Sequence, residues 1–318
     1  MKPLLLILID VREAGRTAIE EKFNIVYAPD ARQHSAIIAE HGSEVTVVLT
    51  NGAVGLSATA IDALPKLTLI CALGVGVENI DAEHARSRQI EVANGAGTND
   101  DCVADHALAL LLAAVRNLIP ADRACRAGIW RDALPFQPHL SGMRLGILGL
   151  GAIGSKIALR GAAFGMTPGY FSRTRRSDVN YDYFSSAIEL ATWADCLVVA
   201  TPGGAATRHL IGSAELHALG VQGYLVNIAR GSVVDTAALA QALKNRIIAG
   251  AGIDVYESEP LPPAELIGLD NVVLTPHVGG QSPQAIAASV QKFLDNAEHH
   301  HTGRAAQIAV QGTLCNDQ

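Results

Sequence analysis

Short apolar runs alternate with helix-compatible stretches along the first hundred residues. Leu4–Ile9, Val45–Thr50 and Leu67–Ala72 are predicted as strands, with helices at Ala14–Lys22, Ser35–His41 and Thr59–Leu64 between them. Asp81–Arg88 adds a helix and Ile90–Ala93 a further strand. Strands that alternate with helices predict a parallel sheet with right-handed crossovers. A long apolar helix is expected around 101–118, then a polar loop, Gly128–Gly142. A second series follows, with strands at Arg144–Leu148, Thr167–Phe171, Cys196–Ala200, Tyr224–Ile228, Ala249–Asp254 and Val272–Thr275. Its helices are expected at Ile153–Phe164, Ser186–Ala191 and Thr236–Asn245. The pattern is that of a second doubly wound α/β unit. The last helix, Pro283 to about His300, has no sheet of its own and is expected to pack back on the first domain. The predicted division is therefore 1–98 plus 285–318 for one domain and 99–284 for the other.

With 318 residues the chain is long enough for two domains with cores of their own. Apolar residues make up 49% and charged residues 17%, the balance of a soluble, packed protein and not of a disordered one. A net charge of −7 speaks against nucleic acid as the main partner. The cysteines Cys71, Cys102, Cys125, Cys196 and Cys315 are odd in number and form no CxxC pair. Neither a disulfide framework nor a zinc knuckle fits, and a reducing cytoplasm is expected. The run His299–His301 is expected to be a solvated helix end, since adjacent helical residues do not face one point, and no metal site is predicted. Leu4–Ile9 is followed by Asp10, Arg12 and Glu13 with no small-residue cleavage site, which favours a strand over a signal segment. The apolar run Ala107–Val115, flanked by Asp105, His106 and Arg116, is too short to cross a bilayer.

Gly149-Leu-Gly151-Ala-Ile-Gly154 fits GxGxxG, with an apolar strand before it and an Ala/Ile-rich helix after it. In that context the backbone amides around Ala152 and Ile153 can cradle a pyrophosphate at the helix N-terminus. Gly149 permits the tight turn, Gly151 lets phosphate approach, and Gly154 lets helix and strand pack closely. The competing possibility is an ordinary glycine-rich turn. Three polar residues then stand just past apolar strands, where open α/β sheets bind ligands: Arg230, Glu259 and His277. Arginine offers a planar fork to a carboxylate. Histidine can deliver a proton near neutral pH, and a carboxylate beside it favours its charged form. Hydride addition to a ketone needs such an anchor, a proton donor and a nicotinamide. Each residue alone would pass for a surface or turn residue; together, in this order behind a dinucleotide loop, they form a chemically coherent set.

VNIARGSVVD, AGIDVYESEP and LTPHVGG resemble the signature segments of the D-isomer-specific 2-hydroxyacid dehydrogenases. LPKLTLICALGVGVENID resembles that family's substrate loop, and GTNDDCVADHALALLL its interdomain helix. The resemblance runs from about Thr50 to Pro283. It implies two doubly wound domains, a discontinuous flavodoxin-like substrate domain and a Rossmann dinucleotide-binding domain. It implies Arg230 for carboxylate and carbonyl binding, His277 as acid/base and Glu259 as its partner. It places Asp254 near the nicotinamide carboxamide, and Thr201, Pro202, Thr207, Ile228, Ala229 and Gly279 along the cofactor cleft. Leu73, Gly74, Val75 and Gly76 would meet the substrate, its carboxylate held by the amides of Val75 and Gly76. Family likeness also implies a homodimer with the helix near 101–118 in its interface; closure of the two domains over the substrate would exclude water and complete the site. Glu259 stands where the related formate dehydrogenases carry glutamine.

The cofactor is addressed by YFSRTRR, Tyr170 to Arg176. A carboxylate is expected about twenty residues beyond the loop to bind the adenine ribose diol. By likeness to the family pattern that position is Ser172, and no Asp or Glu occurs from Gly161 to Ser177. A carboxylate there would repel a 2′-phosphate, whereas Arg173 can pair with one bidentately and Ser172 and Thr174 can donate to it. NADPH rather than NADH is therefore expected, unless the stretch is only a solvated basic loop. Ser-Arg-Thr and ATPGGAATRHLI also resemble the glyoxylate/hydroxypyruvate reductase branch. The expected activity is reduction of a small 2-keto acid. An NAD-linked D-2-hydroxyacid dehydrogenase and a nucleotide-sensing corepressor are the alternatives.

Overall fold

The alternation of runs builds two parallel sheets in a computed structural model that describes residues 2–303. Cys315 and the rest of 304–318, which the sequence assigns to the first domain, lie outside the described residues, as does Met1. In chain order the first elements are β1 (Leu4–Ile7), α1 (Glu13–Glu20), β2 (Asn24–Tyr27), α2 (His34–His41) and β3 (Val47–Thr50). There follow α3 (Ala58–Asp62), β4 (Leu69–Ala72), α4 (Ala82–Ser87), β5 (Glu91–Ala93), α5 (Asp100–Val115) and α6 (Leu118–Arg126). Next come β6 (Arg144–Leu148), α7 (Ala152–Ala163), β7 (Thr167–Phe171), β8 (Asp182–Phe184), α8 (Ala187–Trp193) and β9 (Cys196–Val199). The last are α9 (Ser213–Leu219), β10 (Tyr224–Asn227), α10 (Thr236–Lys244), β11 (Gly250–Ile253), β12 (Val272–Leu274) and α11 (Pro283–His301).

The chain divides into two units, one of residues up to Asn99 together with those from Ser282 on, the other Asp100–Gln281. In the first unit the sheet order is β2-β1-β3-β4-β5, every pairing parallel. Strands β3 and β4 are buried at every position, which is why they read as unbroken apolar runs. Strand β2 was not predicted. It is an edge strand, exposed at Asn24 and only half-buried beyond it, so it carries no such run. Helix α11 returns to this unit, burying Val290, Phe293 and Ala297 in its core. The rings of Phe293 and Phe23 lie 5.6 Å apart, and Asn296 donates to the carbonyl of Asn94 at 3.2 Å.

In the second unit the sheet runs β12-β11-β10-β9-β6-β7-β8, again all parallel. Strand order reverses beside β6, so the carboxyl ends of β6 and β9 flank the crevice where such sheets bind ligands. Helix α5 packs on α7, β10 and β11 and buries Ala104, Ala107, Leu108 and Leu111. It does not reach 118 as expected. Asn117 adopts a left-handed conformation (φ 51°, ψ 42°) that ends α5, and α6 starts at a new angle. Among the described residues no single helix is long and apolar enough to cross a membrane.

Candidate active site

The loop between β6 and α7 shows why its glycines stand where they do. Gly149 has φ 101°, and a side chain there would lie 2.9 Å from the carbonyl of Ala200 and the backbone of Thr201. A Cβ on Gly154 would come within 2.0 Å of the Gly149 carbonyl, so only glycine lets α7 seat against the strand end. Over Gly151 a Cβ would meet nothing within 4 Å, and that residue caps α7. The first amides of α7, at Ala152, Ile153 and Gly154, precede the first helical hydrogen bond, from Ser155 to Gly151 at 2.9 Å. Open space at a glycine before free helix amides is what a pyrophosphate requires.

The loops after β7, β9 and β10 follow the carboxyl ends of strands on either side of β6. Ser172 is half-buried, and its Oγ accepts from the amide of Leu150 at 3.1 Å, which leaves its own proton to donate elsewhere. Arg173 and Thr174 are exposed, and Arg173 makes no ion pair among the described residues. Thr201 and Pro202 begin a tight loop that Thr207 closes by donating to the Pro202 carbonyl at 2.8 Å. After β10, the buried side chain of Asn227 accepts from the Ala229 amide and donates to the Arg230 carbonyl. It thereby fixes the turn through Ile228, Ala229 and Arg230. Asn227 was not among the expected site residues; its one signal in the sequence is a polar residue ending an otherwise apolar strand.

His277 and Glu259 are in contact, Nδ1 to Oε2 at 2.8 Å. The other oxygen of Glu259 accepts from the Tyr256 amide at 2.8 Å. Tyr256 in turn donates its hydroxyl to the carbonyls of Ile253 and Thr275, at 2.9 and 2.8 Å. His277 sits at φ 53°, an unusual conformation for a residue with a side chain, held by amide bonds to the carbonyls of Asp254 and Thr275. Asp254 is buried, and its carboxylate accepts from Thr275 Oγ1 at 2.6 Å and from the Val278 and Gly279 amides at 2.9 Å each. His106 of α5 lies 3.3 Å from the same carboxylate and 2.9 Å from Thr275 Oγ1. Burial by itself pushes the pKa of Asp254 up, but these donors outweigh it and bring the pKa down to about 2. The structure thus adds His106 and Thr275 to the expected residues, and shows Asp254 as the anchor of the histidine turn.

The contact with Glu259 raises the pKa of His277 against burial, which works the other way. Burial likewise raises Glu259, but its bond to His277 and the Tyr256 amide outweigh that and hold it ionised. The positive charge of Arg230 bears on both, favouring the carboxylate and opposing the imidazolium. Gly231 lets the turns meet, since a Cβ there would lie 2.0 Å from Tyr256. The arrangement is an imidazole whose charged form Glu259 favours, with Nδ1 occupied, Nε2 left to give a proton, and a guanidinium close by.

In the first unit, the carbonyls of Gly74 and Val75 accept from the Gly95 amide at 2.9 Å and from Asn94 at 2.7 Å. A trans peptide points its N–H opposite to its C=O, so the amides of Val75 and Gly76 face the other way, as a backbone anion site would. Leu73 is pinned just before them by its amide bond to the Thr50 carbonyl.

The model of the D-isomer specific 2-hydroxyacid dehydrogenase NAD-binding domain matches residues 108–279. The chain belongs to that family. It is 37% identical to glyoxylate/hydroxypyruvate reductase A of Arabidopsis thaliana over 288 residues, 90% of this chain and 92% of that one. It is 38% identical to a glyoxylate reductase of Pyrococcus horikoshii, over 89% of this chain and 88% of that one. The structure of an NADPH-dependent glyoxylate/hydroxypyruvate reductase of Sinorhizobium meliloti, solved with NADP and malonate, matches with a TM-score of 0.90 at 34% identity. That match covers 97% of this chain and 96% of the other. The family and its two parallel-sheet α/β units agree with the expectations from sequence.

If His277 is the proton donor in reduction, kcat/KM is highest while the imidazole is charged and falls as pH rises through its raised pKa. Glu259→Gln removes the main cause of that elevation, so the alkaline fall should move to lower pH. A pH profile of both enzymes checks this; an unmoved alkaline limb would exclude Glu259 as the residue that sets it.

Proposed function

We propose that the chain reduces a small 2-keto acid, of the glyoxylate or hydroxypyruvate type, to the D-2-hydroxy acid, with NADPH preferred to NADH. The observation that carries this is the 2.8 Å pair of His277 and Glu259, beside Arg230 and on the same unit as the glycine loop. When bound, the nicotinamide supplies the hydride. Arg230 polarises the keto group and binds the acid, while His277 Nε2 gives its proton to the carbonyl oxygen. The outward amides of Val75 and Gly76 are assigned to the carboxylate. Leu73 is assigned to the substrate's side chain. Ala152, Ile153 and Gly154 are assigned to the pyrophosphate, with Gly151 giving it room.

The preference for NADPH is supported by Arg173, an exposed guanidinium with no acidic neighbour in the ribose position, and by the free hydroxyl protons of Ser172 and Thr174. A charge-assisted bidentate pair contributes about 1.5–3 kcal/mol, so Arg173→Ala should raise the NADPH KM by roughly ten- to a hundredfold and leave the NADH KM nearly unchanged. Steady-state kinetics with both coenzymes, over a panel of 2-keto acids, reads this directly. Equal losses with both coenzymes would remove the 2′-phosphate assignment. Absence of turnover with every acid would favour the signalling alternative.

We also propose a homodimer. Leu118 and Ile119 of α6, with Ile129, Trp130 and Phe136 after it, are large apolar side chains left exposed within one short stretch. The described cysteines are all free thiols, in keeping with a cytoplasmic location. Sedimentation should show a dimer that Trp130→Glu with Phe136→Glu converts to monomer; a monomeric parent protein would refute it.

A further inference from the structure

The arginines of Arg173-Thr-Arg175-Arg176 differ in what they touch. Arg175 is exposed and lies over the ring of Tyr183 at 5.8 Å, a cation–π contact. Arg176 is half-buried and turns back towards the glycine loop. Its Nη1 donates to the carbonyl of Leu150 at 3.0 Å and to Ser155 Oγ at 2.8 Å. Its Nε and Nη2 are taken by the two oxygens of Asp178, the first at 2.9 Å. Its own amide donates to the hydroxyl of the buried Tyr170 at 2.8 Å, which fixes where the side chain starts.

Leu150 is the residue between Gly149 and Gly151. Its amide is held by Ser172 Oγ and its carbonyl by Arg176, so both of its peptide groups are tied to the loop after β7. The peptide plane that carries the Leu150 carbonyl also carries the Gly151 amide, pointing the opposite way. Holding the carbonyl therefore aims that amide. Ser155, the other acceptor, lies in the first turn of α7, so the same guanidinium ties the loop to the helix whose amides follow.

We propose that Arg176 is a positioning residue for the pyrophosphate site: it fixes the Leu150 peptide so that the Gly151 amide and the first amides of α7 are aimed before the cofactor arrives. It does not act as a ligand of the 2′-phosphate, because its fork is already filled by Asp178. This rests on the reading of the glycine loop as a dinucleotide site. The role is indifferent to the coenzyme, in contrast to that of Arg173.

The test compares Arg176→Ala, Arg176→Lys and Arg173→Ala in the full chain. ADP-ribose is the binding probe, since it carries the pyrophosphate but neither the 2′-phosphate nor the nicotinamide. Arg176→Ala should weaken ADP-ribose binding by calorimetry on the order of tenfold, the scale of a lost charge-assisted hydrogen bond. It should raise the KM of NADPH and of NADH by the same factor and leave kcat with saturating coenzyme near the parent value. Lysine keeps a donor but not the fork and should recover part of the loss. A rise confined to NADPH would make Arg176 a phosphate ligand and overturn the proposal, as would unchanged ADP-ribose binding. If Arg176→Ala does not fold, Arg176→Lys carries the same test: equal weakening of both coenzymes supports it, and a selective effect or none overturns it. A parent protein that fails to bind ADP-ribose at all would instead sink the dinucleotide reading itself.

Discussion

One buried carboxylate holds the chemistry of the second unit in place. Asp254 directly follows β11 at 2% exposure, a position that an ion occupies only when donors surround it. The hydroxyl of Thr275, two backbone amides and His106 do so. Those amides belong to Val278 and Gly279, the residues that follow His277, so satisfying the charge shapes the turn. Gly279 is glycine for the same reason, since a Cβ there would stand 2.9 Å from Asp254 Oδ2. The left-handed backbone of His277 is unfavourable by itself and is held because both flanks of the turn are committed to this carboxylate. From that fixed base the imidazole reaches Glu259. Asp254→Asn would exchange an acceptor of four donors for a group that must itself donate, so the turn would lose its anchor without losing volume.

A similar economy of contacts governs the cofactor side. Gly149 and Gly154 are dictated by backbone crowding within the protein, whereas the space over Gly151 is left open. Ser172 and Arg176 then hold the peptide groups between them, and Arg173 stays outside this framework. Residues adjacent in sequence thus divide between shaping the loop and facing the ligand.

Much of this was legible in the sequence where burial makes a strong signal. Strands β3, β4, β6 and β9 are buried almost throughout and were placed to within two residues. The edge strands β2 and β8 were not, because half-solvated strands need no apolar run. The break at Asn117 was missed as well: a left-handed residue inside an apolar helical pattern leaves little trace when it is not glycine. At the site, Arg230, Glu259 and His277 stood out as polar residues just past apolar strands. The residues that hold them did not. His106 lies within an apolar helix, Asn227 ends β10 and Thr275 follows β12, and their roles arise from contacts across up to 169 positions of sequence, which no local pattern encodes. Arg175 and Arg176 could not be told from Arg173 by type, only by what they touch.

This framework favours the charged form of the His277 imidazole and leaves its Nε2 to give a proton. This is tested most directly by an NMR titration of the His277 imidazole in the cofactor-free protein, with assignment by a His277→Gln variant. The titration should give a pKa above that of an ordinary histidine, coinciding with the alkaline limb of the reduction profile. A pKa at or below the ordinary value, with the imidazole neutral at working pH, would contradict it.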